Sequence, residues 1–188
     1  MKTIFLDRDG VINKNPPNRG YVSSWDDFSF LPNALQAINI LTKSSFRIFL
    51  VTNQAGIGKG IFTVQQLSDI HKRMLQEINN HGGNIANIYY CPHHPDEDCP
   101  CRKPKPGMLI TAANEHGFDI SHTCFIGDSI TDIFAAQSAG ASPILVLTGH
   151  GQESYNYYIK SNSNNKTDIP DKIFTNLYAA SRWLQHKR

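Results

Sequence analysis

Two aspartates, Asp7 and Asp9, follow a short apolar run at the start of the chain. If the backbone remains extended through Asp9, both side chains point to the same side. Neighbouring carboxylates repel each other unless a cation lies between them, and hard oxygen ligands suit Mg²⁺. A lone Asp-x-Asp more often marks a strand that ends in a solvated turn, so a metal site needs support from the rest of the chain.

Two later segments supply that support. Residues 52–60 (TNQAGIGKG) follow a predicted strand, and the hydroxyl of Thr52 and the amides of the glycine-rich turn can face phosphate oxygens. Asp128 follows another predicted strand and could complete the metal site. Asp132 comes four residues later, on the same face of the entering helix, and could cap or orient that site. Glycine-rich turns are common, so only the combination indicates phosphate chemistry.

The zinc loop, as we name residues 91–101, has the spacing C-x-H-x5-C-x-C. Its predicted ligands are three thiolates and one imidazole, a closed tetrahedral Zn²⁺ shell: Cys91, His93, Cys99 and Cys101. Four protein ligands leave no position for water, so we expect a structural metal. His94 remains a competing ligand at this stage.

Two cations follow the zinc loop directly. Arg102 can bind a phosphate or carboxylate through two hydrogen bonds, whereas Lys103 acts as a point charge. A basic surface loop is the simpler interpretation of an isolated Arg-Lys pair. A metal-stiffened loop, however, would bring both cations to a defined place.

Strands and helices alternate along the chain. Apolar runs predict strands at 4–6, 46–51, 85–90, 123–126, 144–147 and 173–174, and apolar periodicity predicts helices at 33–44, 64–81, 106–117, 133–139 and the C-terminus. This order predicts a doubly wound parallel α/β sheet, with ligands at the carboxyl ends of the strands. In the second helix we expect Val64 to face inward and His71 to face solvent, and we expect the polar residues 149–170 to form a loop.

The spacing of these segments leaves no room for a large cap domain. About forty residues separate Asp7 from Thr52, and one helix and one strand already occupy part of them. Loops must therefore shield the site. We assign that role to the zinc loop and to the substrate loop, as we name residues 13–32.

The composition is that of an ordinary globular protein. The 188 residues are 40% apolar and 18% charged, and they predict a single domain over 1–188. A formal net charge of +2 does not indicate a nucleic-acid partner. No apolar run could span a bilayer, and Asp7 comes too early for the apolar core of a signal peptide, so we expect a cytoplasmic protein.

Four segments in order resemble the motifs of the haloacid dehalogenase (HAD) superfamily of phosphatases: DRDGV at 7–11, TNQAGIGKG at 52–60, CRKPKPGM at 101–108 and GDSITD at 127–132. More narrowly, with the zinc loop, they resemble the D-glycero-D-manno-heptose 1,7-bisphosphate 7-phosphatases and the related histidinol phosphatases. Residues 20–22, 60–63 and 147–149 favour the heptose enzymes. The resemblance implies a Rossmann-like HAD fold with an inserted zinc loop.

The resemblance also implies a reaction: Mg²⁺-dependent removal of the C7 phosphate through an aspartyl phosphate on Asp7, giving heptose 1-phosphate for nucleotide-activated heptose and lipopolysaccharide biosynthesis. Asp9 would be the general acid and then the base, and Thr52 and Lys103 would bind the phosphoryl oxygens. Mg²⁺ would be held by Asp7, the backbone carbonyl of Asp9 and Asp128. The implied substrate-binding residues are Gly20, Tyr21, Asn53, Gln54, Arg102 and Ser129.

Two departures and several alternatives stay open. Ser129 stands where relatives often have lysine, and the segment 15–17 looks slightly long for the family. The main alternative is a histidinol-phosphate phosphatase; a polynucleotide 3′-phosphatase and a non-catalytic zinc-stabilised binding module are weaker. The expected partner is a small sugar phosphate, with no nucleic acid or membrane, and the expected state is a monomer.

Overall fold

The computed structural model describes residues 2–16, 20–161 and 170–186. Six strands form one sheet: β1 (Lys2–Leu6), β2 (Phe46–Asn53), β3 (Asn87–Cys91), β4 (Cys124–Gly127), β5 (Ser142–Val146) and β6 (Lys172–Phe174). The helices are α1 (Ala34–Lys43), α2 (Val64–Asn80), α3 (Gly107–His116), α4 (Ile130–Ala139), α5 (Gly151–Ser161) and α6 (Leu177–His186). Short 3₁₀ turns occupy Pro95–Glu97 and Ile120–His122.

The sheet is parallel throughout, in the order β3-β2-β1-β4-β5-β6. Strand β1 lies at the centre, where Ile4 pairs with Ile48 on one side and with Cys124 on the other. The order reverses direction at this strand, so the crevice beyond its carboxyl end is the position at which such sheets bind ligands. The predicted doubly wound α/β fold is confirmed, and the described residues contain no large cap domain.

Alternate residues of the central strands pack on opposite faces of the sheet. Ile4 and Leu6 belong to the core cluster that includes buried residues of α1, α2 and α6. Phe5 belongs to the second cluster, with buried residues of α3 and α4. This period of two follows from the strand geometry and explains why both faces need covering helices.

Local signals in the sequence account for the ends of α2 and α4. Thr63 caps α2: its hydroxyl accepts the Gln66 N–H at 3.2 Å, while the Gln66 side chain accepts the Thr63 N–H at 2.8 Å. Ser129 and Asp132 form the same reciprocal box at the start of α4. Helix α4 ends at Gly140, which has a φ of 82° that favours glycine.

Three sequence predictions are wrong. Val64 is exposed, because residues 63–66 at the start of α2 all face solvent. His71 is buried, because it lies on the same face of α2 as Leu67 and Met74 and its Nε2 is 3.1 Å from Arg8 Nη1. Residues 151–161 of the predicted loop form α5, and its Ser154 hydroxyl donates to the backbone carbonyl of Asp128 at 3.0 Å. Residues 162–169 of that segment lie outside the described residues. None of the described helices has the length and apolar character needed to cross a membrane.

Candidate active site

A cavity of about 440 Å³ opens at the carboxyl ends of the central strands. All the predicted catalytic, substrate-binding and magnesium-ligating residues line it: Asp7, Asp9, Gly20, Tyr21, Thr52, Asn53, Gln54, Arg102, Lys103, Asp128 and Ser129. They come from the ends of β1, β2 and β4, the substrate loop and the segment after the zinc loop. The parallel sheet brings these distant segments together because its strands all end at the same edge.

Lys103 lies at the centre of the charged groups. Its ammonium is 2.9 Å from Asp7 Oδ1 and 2.6 Å from Asp132 Oδ1, and it donates to the backbone carbonyl of Val51 at 3.0 Å. The residue is only 3% exposed. Burial acts to lower the pKa of Lys103, but the Asp132 and Asp7 carboxylates outweigh it and raise that pKa, so the side chain stays charged. Three acceptors therefore satisfy its three protons.

A cluster of three buried carboxylates lies beside this ammonium. One oxygen each of Asp7, Asp128 and Asp132 lies within 4.8 Å of the others. Burial raises the pKa of Asp7 to about 7, although Lys103 opposes the shift. Burial, then Asp132 and Asp7, raise the pKa of Asp128 well above its ordinary value. Buried carboxylates that disfavour one another's ionisation fit a divalent cation with oxygen ligands, and Asp132 is already bound to Lys103.

Two glycines make room for Asp128. A Cβ on Gly10 would lie 1.9 Å from Asp128 Oδ2, and a Cβ on Gly149 would lie 2.0 Å from the same atom. The φ angles of Gly10 and Gly149 are 84° and 57°, in the left-handed region. Asp128 Oδ2 also accepts the His150 N–H at 2.7 Å. Backbone from two loops thus encloses one side of the carboxylate.

The Asp9 carboxylate is not one of the three clustered carboxylates and accepts hydrogen bonds from three side chains. Arg8 Nη2 is 3.1 Å and 3.0 Å from its two oxygens, Asn13 Nδ2 is 2.8 Å from Oδ1, and Gln54 Nε2 is 3.1 Å from Oδ2. Although burial opposes them, Arg8 and these hydrogen bonds lower the pKa of Asp9. Because both carboxylate oxygens accept these hydrogen bonds, they are occupied within the protein; the family resemblance implies the backbone carbonyl of Asp9 as the metal ligand.

Three residues predicted to bind substrate are also hydrogen-bonded within the protein. Asn53 donates to the Lys103 carbonyl and accepts the Lys103 N–H, both at 3.1 Å, and so fixes the backbone of that residue. The Gln54 amide nitrogen donates to Thr52 Oγ1 at 3.0 Å as well as to Asp9. Ser129 caps α4 through Asp132, to which its hydroxyl donates at 2.7 Å.

The zinc loop brings its four predicted ligands together. Cys91 Sγ is 3.5 Å from Cys99 Sγ and 3.5 Å from His93 Nδ1, and Cys101 Sγ is 3.2 Å from that nitrogen and 3.5 Å from Cys99 Sγ. Tetrahedral Zn²⁺ with Zn–S bonds of about 2.3 Å separates its sulfurs by roughly 3.8 Å, so the donor set fits zinc. His94 is elsewhere: its Nδ1 accepts the Asp96 N–H at 3.3 Å at the next 3₁₀ turn.

The zinc loop packs on the phosphate-binding turn. Gly58 N–H donates to the Pro92 carbonyl at 2.8 Å, and a Cβ on Gly58 would lie 2.3 Å from the His94 nitrogen. Arg102 follows the loop directly and lines the cavity, and its buried Nη1 has no hydrogen-bond partner among the described residues. A buried guanidinium nitrogen without a partner is costly, so this cation is suited to an anionic ligand.

The substrate loop forms the opposite wall. Tyr21 packs against Phe62, with ring centroids 6.1 Å apart, and Lys59 Nζ lies 5.7 Å from the Tyr21 ring. Trp25 stacks on Phe28 at 4.9 Å and helps to anchor the loop. Residues 17–19, which include the end of the slightly long segment 15–17, lie outside the described residues.

Sequence reasoning missed several residues at the site. Asn15, His150 and Glu153 line the cavity, and Asn15 Nδ2 lies 3.4 Å from Asp128 Oδ2. Residues 150 and 153 belong to the segment that the sequence predicted as a loop, so only the Leu-Thr-Gly ending at 147–149 could have drawn attention to them. Arg8 was missed because it occupies the variable position of Asp-x-Asp.

Comparison with known proteins gives consistent matches. A family model described as HAD-hydrolase-like matches residues 100–180. A D-glycero-beta-D-manno-heptose-1,7-bisphosphate 7-phosphatase of Bordetella bronchiseptica is 42% identical over 154 residues, covering 82% of this chain and 85% of that protein. The enzyme of the same name from Neisseria meningitidis serogroup A is 35% identical and covers 100% of this chain and 96% of its own.

The solved structures include a similar fold with bound ligands. The D,D-heptose 1,7-bisphosphate phosphatase from B. bronchiseptica, complexed with magnesium and phosphate, superposes with a TM-score of 0.90. It is 36% identical, and the match covers 100% of both chains. The match therefore extends over the segments that line the cavity as well as over the sheet.

Proposed function

The chain belongs to the HAD-type D-glycero-beta-D-manno-heptose-1,7-bisphosphate 7-phosphatases, and on that premise we propose that it removes the C7 phosphate of the β anomer of this sugar bisphosphate. The relatives support this substrate over histidinol phosphate. The observation that carries the proposal is the contact of the Asp7 carboxylate with the Lys103 ammonium, inside the cavity and beside two further carboxylates. A carboxylate nucleophile beside an ammonium and a potential Mg²⁺ site is suited to phosphoryl transfer.

Asp7 is the nucleophile in this proposal. Its Oδ1 accepts the Arg8 N–H at 2.7 Å and the Lys103 ammonium at 2.9 Å, which fixes the orientation of the carboxylate. We assign Oδ2 to the attack on phosphorus. The new O–P bond forms as the bond from phosphorus to the C7 oxygen breaks, which leaves an aspartyl phosphate.

Asp9 is the proposed proton carrier. As a carboxylic acid it protonates the departing C7 oxygen, and as a carboxylate it then takes a proton from the water that hydrolyses the aspartyl phosphate. The hydrogen bonds from Arg8, Asn13 and Gln54 favour the ionised form, which is the form required of the base. Each cycle returns Asp9 to its starting state once inorganic phosphate leaves.

The phosphoryl oxygens require positive charge and hydrogen-bond donors. Thr52 Oγ1 is the proposed hydrogen-bond donor, and the Lys103 ammonium, whose protons are held by Asp7, Asp132 and the Val51 carbonyl, is proposed to bind these oxygens through its charge. Asn53 positions the Lys103 backbone. Mg²⁺ bound by the carboxylates of Asp7 and Asp128 and the backbone carbonyl of Asp9 would supply the remaining charge neutralisation.

The rest of the cavity recognises the sugar. Arg102 is proposed to bind an anionic or hydroxyl group away from the reacting phosphate, because its Nη1 has no protein partner among the described residues. Gly20 and Tyr21 form the facing wall. Gln54 and Ser129 line the cavity as well, although hydrogen bonds within the protein occupy both side chains.

Further parts of the proposal concern the enzyme as a whole. We propose a single-domain cytoplasmic monomer with a structural Zn²⁺ in the zinc loop, held by Cys91, His93, Cys99 and Cys101. The near-neutral formal charge of +2 supports a small-molecule substrate without nucleic-acid or membrane partners. The product, heptose 1-phosphate, would supply nucleotide-activated heptose for lipopolysaccharide biosynthesis.

The test is phosphate release from three substrates in the presence of Mg²⁺. These are the β and α anomers of D-glycero-D-manno-heptose 1,7-bisphosphate, and histidinol phosphate, with Asp7→Asn as the blank. We expect the β anomer to give the highest kcat/KM and EDTA to abolish turnover. A higher kcat/KM for histidinol phosphate would contradict the proposed substrate, and turnover by Asp7→Asn would contradict the proposed mechanism.

A further inference from the structure

Arg8 is a fully buried arginine that forms an ion pair with Asp9, the proposed proton carrier. It is 0% exposed, and its guanidinium contacts both oxygens of Asp9 through Nη2. Nη2 also donates to Gln54 Oε1 at 3.3 Å, and Nε donates to Asp9 Oδ1 at 3.3 Å. The N–H groups of a buried guanidinium need hydrogen-bond acceptors, because an N–H without a partner in the protein interior costs free energy.

The remaining nitrogen of that guanidinium contacts helix α2. Arg8 Nη1 lies 3.1 Å from His71 Nε2, and His71 is only 8% exposed. Because Arg8 can only donate, His71 Nε2 must be the unprotonated ring nitrogen and accept the bond. Burial, and then the neighbouring Arg8 charge, lower the pKa of His71 to about 3, which agrees with a neutral ring.

Three separate elements therefore orient one guanidinium. Asp9 belongs to the turn after β1, Gln54 follows β2, and His71 lies in the second turn of α2. The first two partners also contact each other, since Gln54 Nε2 donates to Asp9 Oδ2. His71 connects the Arg8 guanidinium to helix α2, and it is not among the residues that line the cavity.

We propose that His71 is a positioning residue: its Nε2 holds the Arg8 guanidinium, and Arg8 in turn holds the Asp9 carboxyl at the place from which it exchanges protons with the leaving oxygen and with water. The inference rests on the proposed role of Asp9 as general acid. Removal of the acceptor leaves one buried Arg8 N–H without a partner. The guanidinium then reorients, and Asp9 loses its fixed position.

The experiment separates proton transfer from all other contributions to catalysis. Protonation by Asp9 matters for a poor leaving group such as the sugar C7 oxygen, but a 2,4-dinitrophenolate departs without a proton. We would measure release of the leaving group in the first turnover, with Mg²⁺, from heptose 1,7-bisphosphate and from 2,4-dinitrophenyl phosphate. The first turnover is used because the later hydrolysis step requires Asp9 with both substrates.

The variants form a matched set. His71→Phe keeps a ring but removes the acceptor, whereas His71→Gln can place an amide oxygen near the position of Nε2. Ile70→Val loosens the same helix at a neighbouring buried residue whose aliphatic side chain cannot accept a hydrogen bond from Arg8. Asp9→Asn serves as the reference for complete loss of the acid. Thermal unfolding confirms that each variant is folded under the assay conditions.

We expect His71→Phe to slow the sugar bisphosphate by about 10- to 100-fold, a part of the 10²–10⁴ that a general acid typically contributes. Dinitrophenyl phosphate should change by less than about threefold, and His71→Gln should recover most of the loss. An equal loss with both leaving groups, or no loss with either, would overturn the positioning role. If Asp9→Asn itself shows no dependence on the leaving group, the proposed role of Asp9 fails instead.

Discussion

The contact between Gly10 and Asp128 gives the sharpest test of the metal site. In Gly10→Ala the new methyl would lie 1.9 Å from Asp128 Oδ2, whereas real Cβ contacts essentially never fall below 3.0 Å. A Cβ on Gly149 would lie 2.6 Å from Gly10 Cα, so the two loops are already close together on that side, and we expect the carboxylate to move rather than the backbone. The Asp128 oxygen must therefore shift by about 1.1 Å, which is the difference between these two distances.

The size of the effect follows from that shift. Mg²⁺ requires ligands at about 2.0–2.1 Å, and a displacement of about 1 Å at a catalytic site can reduce the rate roughly 100-fold. The left-handed backbone adds a separate cost of about 1–2 kcal/mol for any L-residue. We expect Gly10→Ala to lower kcat/KM at least about 100-fold and to weaken Mg²⁺ binding.

Gly140 provides the matched control. Its φ of 82° is close to the 84° of Gly10, but a Cβ there would meet no atom within 4 Å. Gly140→Ala should therefore carry the same backbone strain without the clash, lowering Tm by about 2–4 °C per kcal/mol in a domain of this size. Its activity should be normal.

The assay is Mg²⁺-dependent phosphate release, titrated with Mg²⁺ for each variant and accompanied by thermal unfolding. If Gly10→Ala keeps kcat/KM within about threefold of Gly140→Ala, the steric argument is wrong, and Asp128 does not need the position described above. A lower Tm without a change in Mg²⁺ affinity would refute the reasoning in the same way, because strain alone would then account for the variant.

Three further predictions concern pH, zinc and the Lys103 backbone. Burial raises the pKa of Asp7 to about 7, so the metal-free folded state binds protons that the unfolded chain has released, and its stability falls as pH rises from about 4 through 7. The gain in Tm on adding Mg²⁺ should therefore be larger at pH 8 than at pH 5.5, and equal gains would contradict this. Cys101→Ser removes one zinc ligand and should loosen the zinc loop, and KM should rise because the next residue, Arg102, is proposed to bind substrate. Unchanged kinetics in this variant and in the zinc-free protein would refute the shielding role of the loop. Asn53→Ala removes both hydrogen bonds to the Lys103 backbone and should lower kcat about 10-fold, with Asn53→Asp, which keeps only the acceptor, in between.

The parallel sheet and the residues that line the cavity could be predicted from the sequence. Parallel buried strands read as continuous apolar runs, and each chemically distinctive group, such as Asp7 or Asp128, follows one of these runs directly. In a parallel sheet the carboxyl ends of all strands lie at one edge. The residues that follow the strands can therefore be predicted to lie near one another, although their distances cannot. The strand and helix boundaries, by contrast, differ by up to about three residues because end residues depend on local capping.

The failures come from interactions that are distant in sequence. The spacing of α2 places His71 on the buried face, four residues after Leu67 and three before Met74, but its polar side chain suggested solvent. The polar partner that accounts for its burial is the guanidinium of Arg8, which is 63 positions away in the chain. Helix α5 has a polar composition typical of a loop, but the Ser154 hydroxyl bonds to the Asp128 carbonyl and ties the helix to the site. Tertiary context overrides local propensity in both cases.

The carboxylates around Lys103 also have a kinetic consequence. When ionised, the three acids of the cluster outnumber the one ammonium by two charges, which is the charge of a single Mg²⁺. A phosphate dianion that approaches the cluster before the cation meets net repulsion in a buried environment, where charge interactions are strong. We therefore expect ordered binding at a pH at which these acids are ionised, with the cation first and the sugar phosphate second. Substrate affinity should then increase with Mg²⁺ concentration until the cation site is saturated, and no further.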